Sequence, residues 1–177
     1  MQRWTSVTLA EGWRIHLAAT ARGICRIGLG GSDLSFARRL PAREASRRDD
    51  KDPLLGEAIR QLAEYLRGKR REFDLPLDLN GTPFQERVWR QLLRIPYGAT
   101  RSYGELARAV GRPGAARAVG QACGANPVPI VVPCHRVIAA GGALGGYGAG
   151  RKLKRRLLDL EKSAPPRNGS GRRARPS

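Results

Sequence analysis

The sequence predicts an α/β protein, with an N-terminal part built from a sheet and a helix and a mainly helical C-terminal part that carries a helix-turn-helix. Three observations predict this class. Alternating apolar runs occur before residue 30, helical periodicities with clear start and stop signals dominate after residue 80, and 177 residues suffice for two small domains sharing a core. We expect a first domain over 1–79, a second over 80–162, and a disordered basic tail over 163–177.

The N-terminal part is predicted to contain a hairpin followed by a helix. Two alternating runs within 13–30 flank a tight turn. The segment 32–53 has many charged and few large apolar residues, so we expect an exposed loop there. A helix is predicted over 53–67, because apolar residues recur at helical spacing between an initial proline and a following glycine. The alternating run 73–79 predicts a strand or an extended linker.

Two capping boxes mark helix starts in the C-terminal part. The first is Thr82–Gln85, and the second is Ser102–Glu105, which opens a short helix that ends at Val110. A further helix over 115–123 follows after a glycine-containing turn. Two short helices joined in this way predict a helix-turn-helix, whose second helix can enter a DNA groove. The pattern is weak by itself, since many helical hairpins bind nothing.

A stiff segment then leads to a cysteine and a histidine. Three prolines within 127–133 exclude a helix there, so Cys134 and His135 follow a rigid, extended backbone. A glycine-dense stretch comes next, and a basic helix is predicted over 151–161. The residues of that helix that we expect to face the core are Leu153, Leu157 and Leu160.

The charge balance favours a polyanionic partner. Thirty-three Lys and Arg against 15 Asp and Glu leave a formal net charge of +18, which attracts DNA, RNA or an acidic membrane. The alternative is a coding bias that enriches arginine without a ligand. No apolar run is long enough to cross a bilayer, and the first residues lack a signal-peptide pattern, so we expect a cytoplasmic, nucleoid-associated protein.

The three cysteines do not predict a disulfide scaffold. Their number is odd and no Cys-x-x-Cys pair occurs. A structural zinc site is equally unexpected, because no finger-like spacing exists among Cys25, Cys123, Cys134, His16 and His135.

Cys134 has two interpretations, a core cysteine or a nucleophile. Free cysteine is often buried, and the preceding valines are apolar. A nucleophilic thiol needs a base or a positive field nearby, and His135 is the candidate base. Adjacent residues of an extended chain point to opposite sides, so a water relay or a turn directly after Cys134 would be required.

The ordered series of motifs resembles the O6-alkylguanine-DNA alkyltransferases, also called methylated-DNA–protein-cysteine methyltransferases. The resemblance is dense over 81–162 and loose over 13–79, and it implies a ribonuclease-H-like N-terminal domain. The segments that carry it are Gly81–Gln85, Val88–Trp89, Ile95–Gly98, Ser102–Ala107, Ala115–Gly120, Asn126–Ile138, Gly145–Gly148 and Lys154–Glu161.

The resemblance implies a role for each matching residue. Cys134 accepts the alkyl group, His135 deprotonates it through a water, Glu161 orients His135, and Asn126 braces the turn that holds the cysteine. The damaged nucleotide is extruded from the duplex, at a cost of a few kcal/mol. Tyr103 lies beneath the extruded base and gives it a proton. The other residues implied at the interface are Arg117 as the wedge in the vacated stack, Ala115, Ala116, Ala118 and Gly120 as small residues against the minor groove, and Val137, Tyr147 and Gly148 around the base.

The implied function is direct reversal of O6-alkylguanine damage, extending to O4-alkylthymine, with each chain reacting once. The partner is double-stranded DNA containing the lesion, the protein is expected to be a monomer, and neither a cofactor, a metal nor a membrane is required. One rival is a non-enzymatic alkyltransferase-like protein that binds lesions, against which the presence of Cys134 argues. Another is a Cys–His hydrolase, which would turn over repeatedly.

Overall fold

A four-stranded sheet organises the N-terminal part of the protein, described by a computed structural model over residues 1–9, 12–40 and 45–163. The strands are β1 (Gln2–Leu9), β2 (Trp13–Ala19), β3 (Ile24–Leu29) and β4 (Ser46–Arg48), in the order β3-β2-β1-β4. β2 pairs antiparallel with β1 and β3, whereas β4 pairs parallel with β1. The predicted hairpin is therefore confirmed as β2 and β3, and β1 extends it.

Both faces of the sheet are covered, because successive side chains of a strand point to opposite sides. Leu17 belongs to the main core, which also takes the buried face of α2 (Pro53–Leu66). Ala18 points the other way and packs with Phe36 and Leu40.

The prediction of an exposed loop over 32–53 is wrong at Asp33–Ala37 and Ser46–Arg48, and residues 41–44 lie outside the described residues. A short helix, α1 (Asp33–Ala37), begins at a capping box and buries Phe36, and β4 adds the edge strand. The ring of Phe36 finds its partners, Trp4 and Ala18, on strands far earlier in the chain, so the local composition does not reveal its burial.

Helix α2 confirms the predicted helix over 53–67 within one residue. The Asp52 carboxylate accepts a hydrogen bond from the Leu55 amide at 2.9 Å, and Gly68 follows the helix with φ of 71°. The run 73–79 is extended, as predicted, and lies beside β3 through a bridge between Ile24 and Leu77.

Four helices build the C-terminal part: α3 (Pro83–Leu92), α4 (Tyr103–Ala109), α5 (Ala116–Gly124) and α6 (Arg151–Ser163). Both predicted capping boxes are present, at the starts of α3 and α4. Helices α4 and α5 pack on each other as the predicted helix-turn-helix. The Trp89 indole on α3 donates to the Ala122 carbonyl oxygen at 2.8 Å, which fixes α3 against α5.

Helix α6 buries a wider stripe than the predicted one, which consisted of Leu153, Leu157 and Leu160. Leu157 is fully buried, and Leu153 and Leu160 are half-buried and pack against the core, as predicted. The buried positions follow the spacing i, i+3, i+4 and i+7. The residues of this stripe are Lys154, Leu157, Leu158 and Glu161. The stripe carries two charged groups inward, which the leucine pattern alone did not reveal. Ser163 ends the helix, and the rest of the predicted basic tail, 164–177, lies outside the described residues.

Candidate active site

Cys134 begins a tight turn that directs the next two side chains into the protein. The Arg136 amide donates to the Pro133 carbonyl oxygen at 3.0 Å, which makes Cys134–Arg136 a single 3₁₀ turn. Of the two features expected to connect Cys134 with His135, a water relay or a turn directly after Cys134, the turn is present. A two-residue parallel pair, β5 (Arg101–Ser102) with β6 (Val137–Ile138), holds the turn beside the start of α4.

Asn126 braces the segment that carries the cysteine. Its Nδ2 donates to the Val132 carbonyl oxygen at 2.8 Å and to Cys134 Sγ at 3.1 Å, while its Oδ1 accepts from the Val128 amide at 3.0 Å. The backbone here is strained: Ile130, a β-branched residue, has φ of 76°. A single amide side chain therefore holds the curved segment and touches the sulfur.

The imidazole of His135 is fully buried, and only one of its two nitrogens, Nε2, has hydrogen-bond partners among the described residues. Its Nε2 lies 2.8 Å from Glu161 Oε1 and 3.2 Å from the Tyr65 hydroxyl. A carboxylate can only accept, so Nε2 carries the proton and Nδ1 holds the lone pair. Nδ1 has no hydrogen-bond partner among the described residues, so it is available as a base.

Glu161 is the charged centre of the site. Its carboxylate accepts from Arg136 Nη2 at 2.9 Å and from the Gly98 amide at 2.9 Å, besides the bonds from His135 and Tyr65. Burial by itself raises the pKa of Glu161, but the hydrogen bonds from His135 and Arg136 outweigh it and hold the pKa at about 2. Glu161 is therefore ionised at neutral pH.

The thiol and the imidazole are both neutral at rest. Burial raises the pKa of Cys134, although the hydrogen bond from Asn126 and the nearby Lys154 ammonium oppose it. Burial lowers the pKa of His135, against the pull of Glu161. The site thus pairs an un-ionised nucleophile with a neutral base, so proton transfer must accompany the attack.

A largely apolar cavity of about 490 Å³ opens onto the cysteine. Its walls come from α4, α5, the Cys134 turn and the glycine-rich loop before α6. The lining residues are Tyr103, Ala116, Arg117, Gly120, Gln121, Cys123, Gly124, Cys134, Gly146, Tyr147 and Gly148. Arg117 is exposed on α5, and burial raises the pKa of Tyr103, so its phenol stays protonated at neutral pH.

The structure brings most of the predicted site residues together, but not all. Asn126 is hydrogen-bonded to Cys134, and the adjacent His135 is hydrogen-bonded to Glu161. The predicted residues that line the cavity are Tyr103, Ala116, Arg117, Gly120, Cys134, Tyr147 and Gly148. Three residues that were predicted at the DNA interface or around the base are absent from the cavity lining. Ala115 and Ala118 lie on the helix-turn-helix, while Val137 is fully buried and its carbonyl oxygen accepts from Lys154 Nζ.

Three residues of this region were missed by the sequence analysis: Tyr65, Arg136 and Lys154. Arg136 follows directly after the Cys–His pair, and Lys154 lies two helical turns before Glu161 on the same face, so helical spacing could have found it. Lys154 Nζ also donates to the Gly146 carbonyl oxygen at 3.2 Å, which fixes the cavity loop. Nothing local marks Tyr65, which is one core position of α2 among several.

Comparison with known proteins places both halves of the chain in one family. A family model described as "6-O-methylguanine DNA methyltransferase, ribonuclease-like domain" matches residues 7–79, and one described as "6-O-methylguanine DNA methyltransferase, DNA binding domain" matches residues 83–163. The predicted fold class is thereby confirmed.

Curated relatives and solved structures agree with the family models. The inducible methylated-DNA–protein-cysteine methyltransferase of Bacillus subtilis is 42% identical over 164 residues, covering 90% of both chains. The Mycobacterium tuberculosis enzyme of that name is 62% identical over 109 residues, which span 62% of this chain and 66% of that relative. The structure of Mycobacterium tuberculosis OGT in complex with DNA superposes with a TM-score of 0.80 at 44% identity, covering 93% of this chain and 96% of that one.

The described ranges contain neither a candidate metal cluster nor a candidate membrane span. No group of three or more His, Cys, Asp and Glu side chains there could hold a metal ion. Within the same ranges no helix is long and apolar enough to cross a membrane.

Proposed function

Because the chain belongs to the 6-O-methylguanine DNA methyltransferase family, we propose that it repairs O6-alkylguanine in duplex DNA by transferring the alkyl group irreversibly to Cys134. The observation that carries the proposal is Cys134 on the wall of the cavity, with the His135–Glu161 pair behind it. O4-alkylthymine, which presents the same oxygen-bound alkyl carbon, is proposed as a second substrate.

The proposed step is a displacement at carbon. The Cys134 thiol proton passes through a water to Nδ1 of His135, the sulfur attacks the alkyl carbon, and the carbon–oxygen bond of the lesion breaks. Tyr103 supplies a proton to the departing guanine and recovers one from water, while the imidazolium releases its proton to water. The net change moves the thiol hydrogen to guanine and the alkyl group to sulfur, so the damaged base is the only co-reactant.

The cavity has the size and position for an extruded base. An alkyl group on O6 inside a duplex cannot reach a buried sulfur, so the nucleotide must leave the stack. We propose that α5 approaches the minor groove, where Ala115, Ala116, Ala118 and Gly120 allow close backbone contact. Arg117, exposed at the cavity mouth, then fills the gap left by the base. Such a reaction on chromosomal DNA would take place in the cytoplasm.

Mass spectrometry after incubation with an O6-methylguanine duplex tests this function. We expect one methyl group per chain, on the peptide that contains Cys134 and on neither the Cys25 nor the Cys123 peptide. Repeated turnover would contradict the proposal and favour the Cys–His hydrolase. Lesion binding without any methylation would favour the alkyltransferase-like alternative, which the curated names of the relatives support less.

Replacing Arg117 by alanine separates base extrusion from chemistry. We expect the rate on an O6-methylguanine duplex to fall roughly tenfold to hundredfold, since extrusion costs a few kcal/mol and the wedge offsets part of it. The reaction with free O6-benzylguanine requires no extrusion and is expected to keep its rate. Arg90→Ala is the matched control, because it removes another exposed arginine, on α3, that is absent from the cavity lining. Equal losses on both substrates for Arg117→Ala would exclude the wedge role.

A further inference from the structure

One residue of the N-terminal part reaches the centre of the site. Tyr65 lies near the end of α2, is fully buried, and packs edge-on against Tyr97 with ring centroids 5.9 Å apart. A second ring, that of Phe73, also packs against Tyr65, with ring centroids 5.3 Å apart. Its hydroxyl is therefore held in one position by rings from two further segments.

The Tyr65 hydroxyl lies between His135 and Glu161 and contacts both. It donates to Glu161 Oε1 at 2.5 Å, and its oxygen lies 3.2 Å from His135 Nε2. Since its single proton is given to the carboxylate, the phenol oxygen can only accept from the imidazole. Both acceptors around Nε2 thus favour the same tautomer of His135, with the proton on Nε2 and the lone pair on Nδ1.

We propose that Tyr65 is a positioning residue of the alkyl-transfer reaction: its hydroxyl locks Glu161 and the Nε2–H tautomer of His135 so that Nδ1 serves as the base for Cys134. The inference rests on the proposed function and deepens it. It gives the N-terminal domain a part in the chemistry, because the hydroxyl comes from α2, 70 residues before His135.

The charged groups around His135 set the direction of the expected pH effect. Glu161 favours the imidazolium, whereas Arg136 and Lys154 oppose it. Tyr65 withdraws part of the carboxylate's charge through its hydrogen bond. Tyr97 packs against Tyr65 and lies under the guanidinium groups of Arg71 and Arg136. The Tyr97 hydroxyl donates to the Leu160 carbonyl oxygen rather than to Glu161 or His135. Without the Tyr65 hydroxyl, Glu161 stabilises the imidazolium more strongly, so the pKa of His135 should rise.

The test compares Tyr65→Phe with Tyr97→Phe, which removes a hydroxyl from the neighbouring ring. Each full-length variant is treated with iodoacetamide across the range in which histidine titrates, and the Cys134 peptide is quantified by mass spectrometry. For Tyr65→Phe we expect the maximal rate to fall about tenfold to hundredfold, as when a group that orients a functional side chain is removed. We also expect the low-pH limb of the rate–pH profile, where His135 becomes protonated, to move to higher pH by about one pH unit. Tyr97→Phe should retain both the wild-type rate and the limb.

A limb at the wild-type position in Tyr65→Phe would overturn the proposal, because a merely loosened fold lowers the rate without moving the limb. If Tyr65→Phe does not fold, nitrogen-15 NMR of the imidazole in the wild-type protein decides instead. The Nε2–H form supports the proposal, and the Nδ1–H form overturns it. Reaction of the wild type with O6-benzylguanine is measured in parallel. If the wild type does not react with O6-benzylguanine, the proposed function is rejected. The rate of reaction with iodoacetamide still tests the role of Tyr65, because it does not depend on DNA repair.

Discussion

Cys134→Ser is expected to abolish alkyl transfer, with a rate loss on the order of 10⁶-fold, as when the nucleophile of a covalent enzyme is removed. An alcohol is a much weaker nucleophile than a thiol at neutral pH, and displacement at carbon favours the polarizable sulfur. Serine differs from cysteine only in carrying oxygen in place of sulfur, so the cavity should keep its shape. Lesion binding, measured by fluorescence anisotropy with an O6-methylguanine duplex, should therefore survive.

The matched control is Cys25→Ser, which removes a thiol from β3 in the N-terminal sheet. We expect it to accept one methyl group per chain, as the wild type does. Methylation of the Cys134→Ser variant at any other residue would refute the assignment of the acceptor, and so would a comparable loss in Cys25→Ser.

Glu161→Gln is expected to cause the largest loss of stability. The variant leaves the guanidinium of Arg136 buried without its anion, and breaking a buried ion pair in this way costs about 3–5 kcal/mol. Alkylation should slow as well, because His135 loses the carboxylate that favours its protonated form. Urea denaturation at neutral pH measures the stability, and a difference below the cost of an exposed ion pair would contradict the assignment of Glu161 as the charged centre.

The same variant makes a prediction about pH. The pKa of Glu161 is lowered from 4.5 to about 2, so its contribution to stability is complete above pH 4.5 and is lost as the pH falls towards 2. The difference in unfolding free energy between wild type and Glu161→Gln should therefore shrink over this window. Glu86→Gln, which changes a half-buried carboxylate of α3 paired with the exposed Arg90, is the control, and we expect it to cost little stability at neutral pH.

Local signals were sufficient for the helices of the C-terminal part. The capping boxes at Thr82 and Ser102 join residues three apart, so the residues that start a helix lie together in the chain. The apolar periodicity of α2 and its flanking proline and glycine are local in the same sense. These elements were predicted within one or two residues because the interactions that begin and end them are short in sequence.

The segment 32–53 was misjudged for the opposite reason. Phe36 and Leu40 are only two apolar residues in a charged stretch, and their burial depends on Trp4 and Ala18 of the sheet. The inward stripe of α6 depended equally on distant partners. Lys154 is buried because the carbonyl oxygens of Val137 and Gly146 receive its ammonium group.

The sequence by itself determined the α/β class, the helix-turn-helix and the identity of Cys134, His135, Asn126 and Glu161 as candidates, since an ordered series of motifs carries that information. Only the tertiary structure decided which residues hydrogen-bond to one another at the site. Tyr65, His135 and Glu161 meet at 2.5–3.2 Å although 70 and 26 residues separate them along the chain. The physical reason is that a buried polar group must form hydrogen bonds inside the protein. Its partners are the groups that packing brings close, whatever their spacing in the sequence.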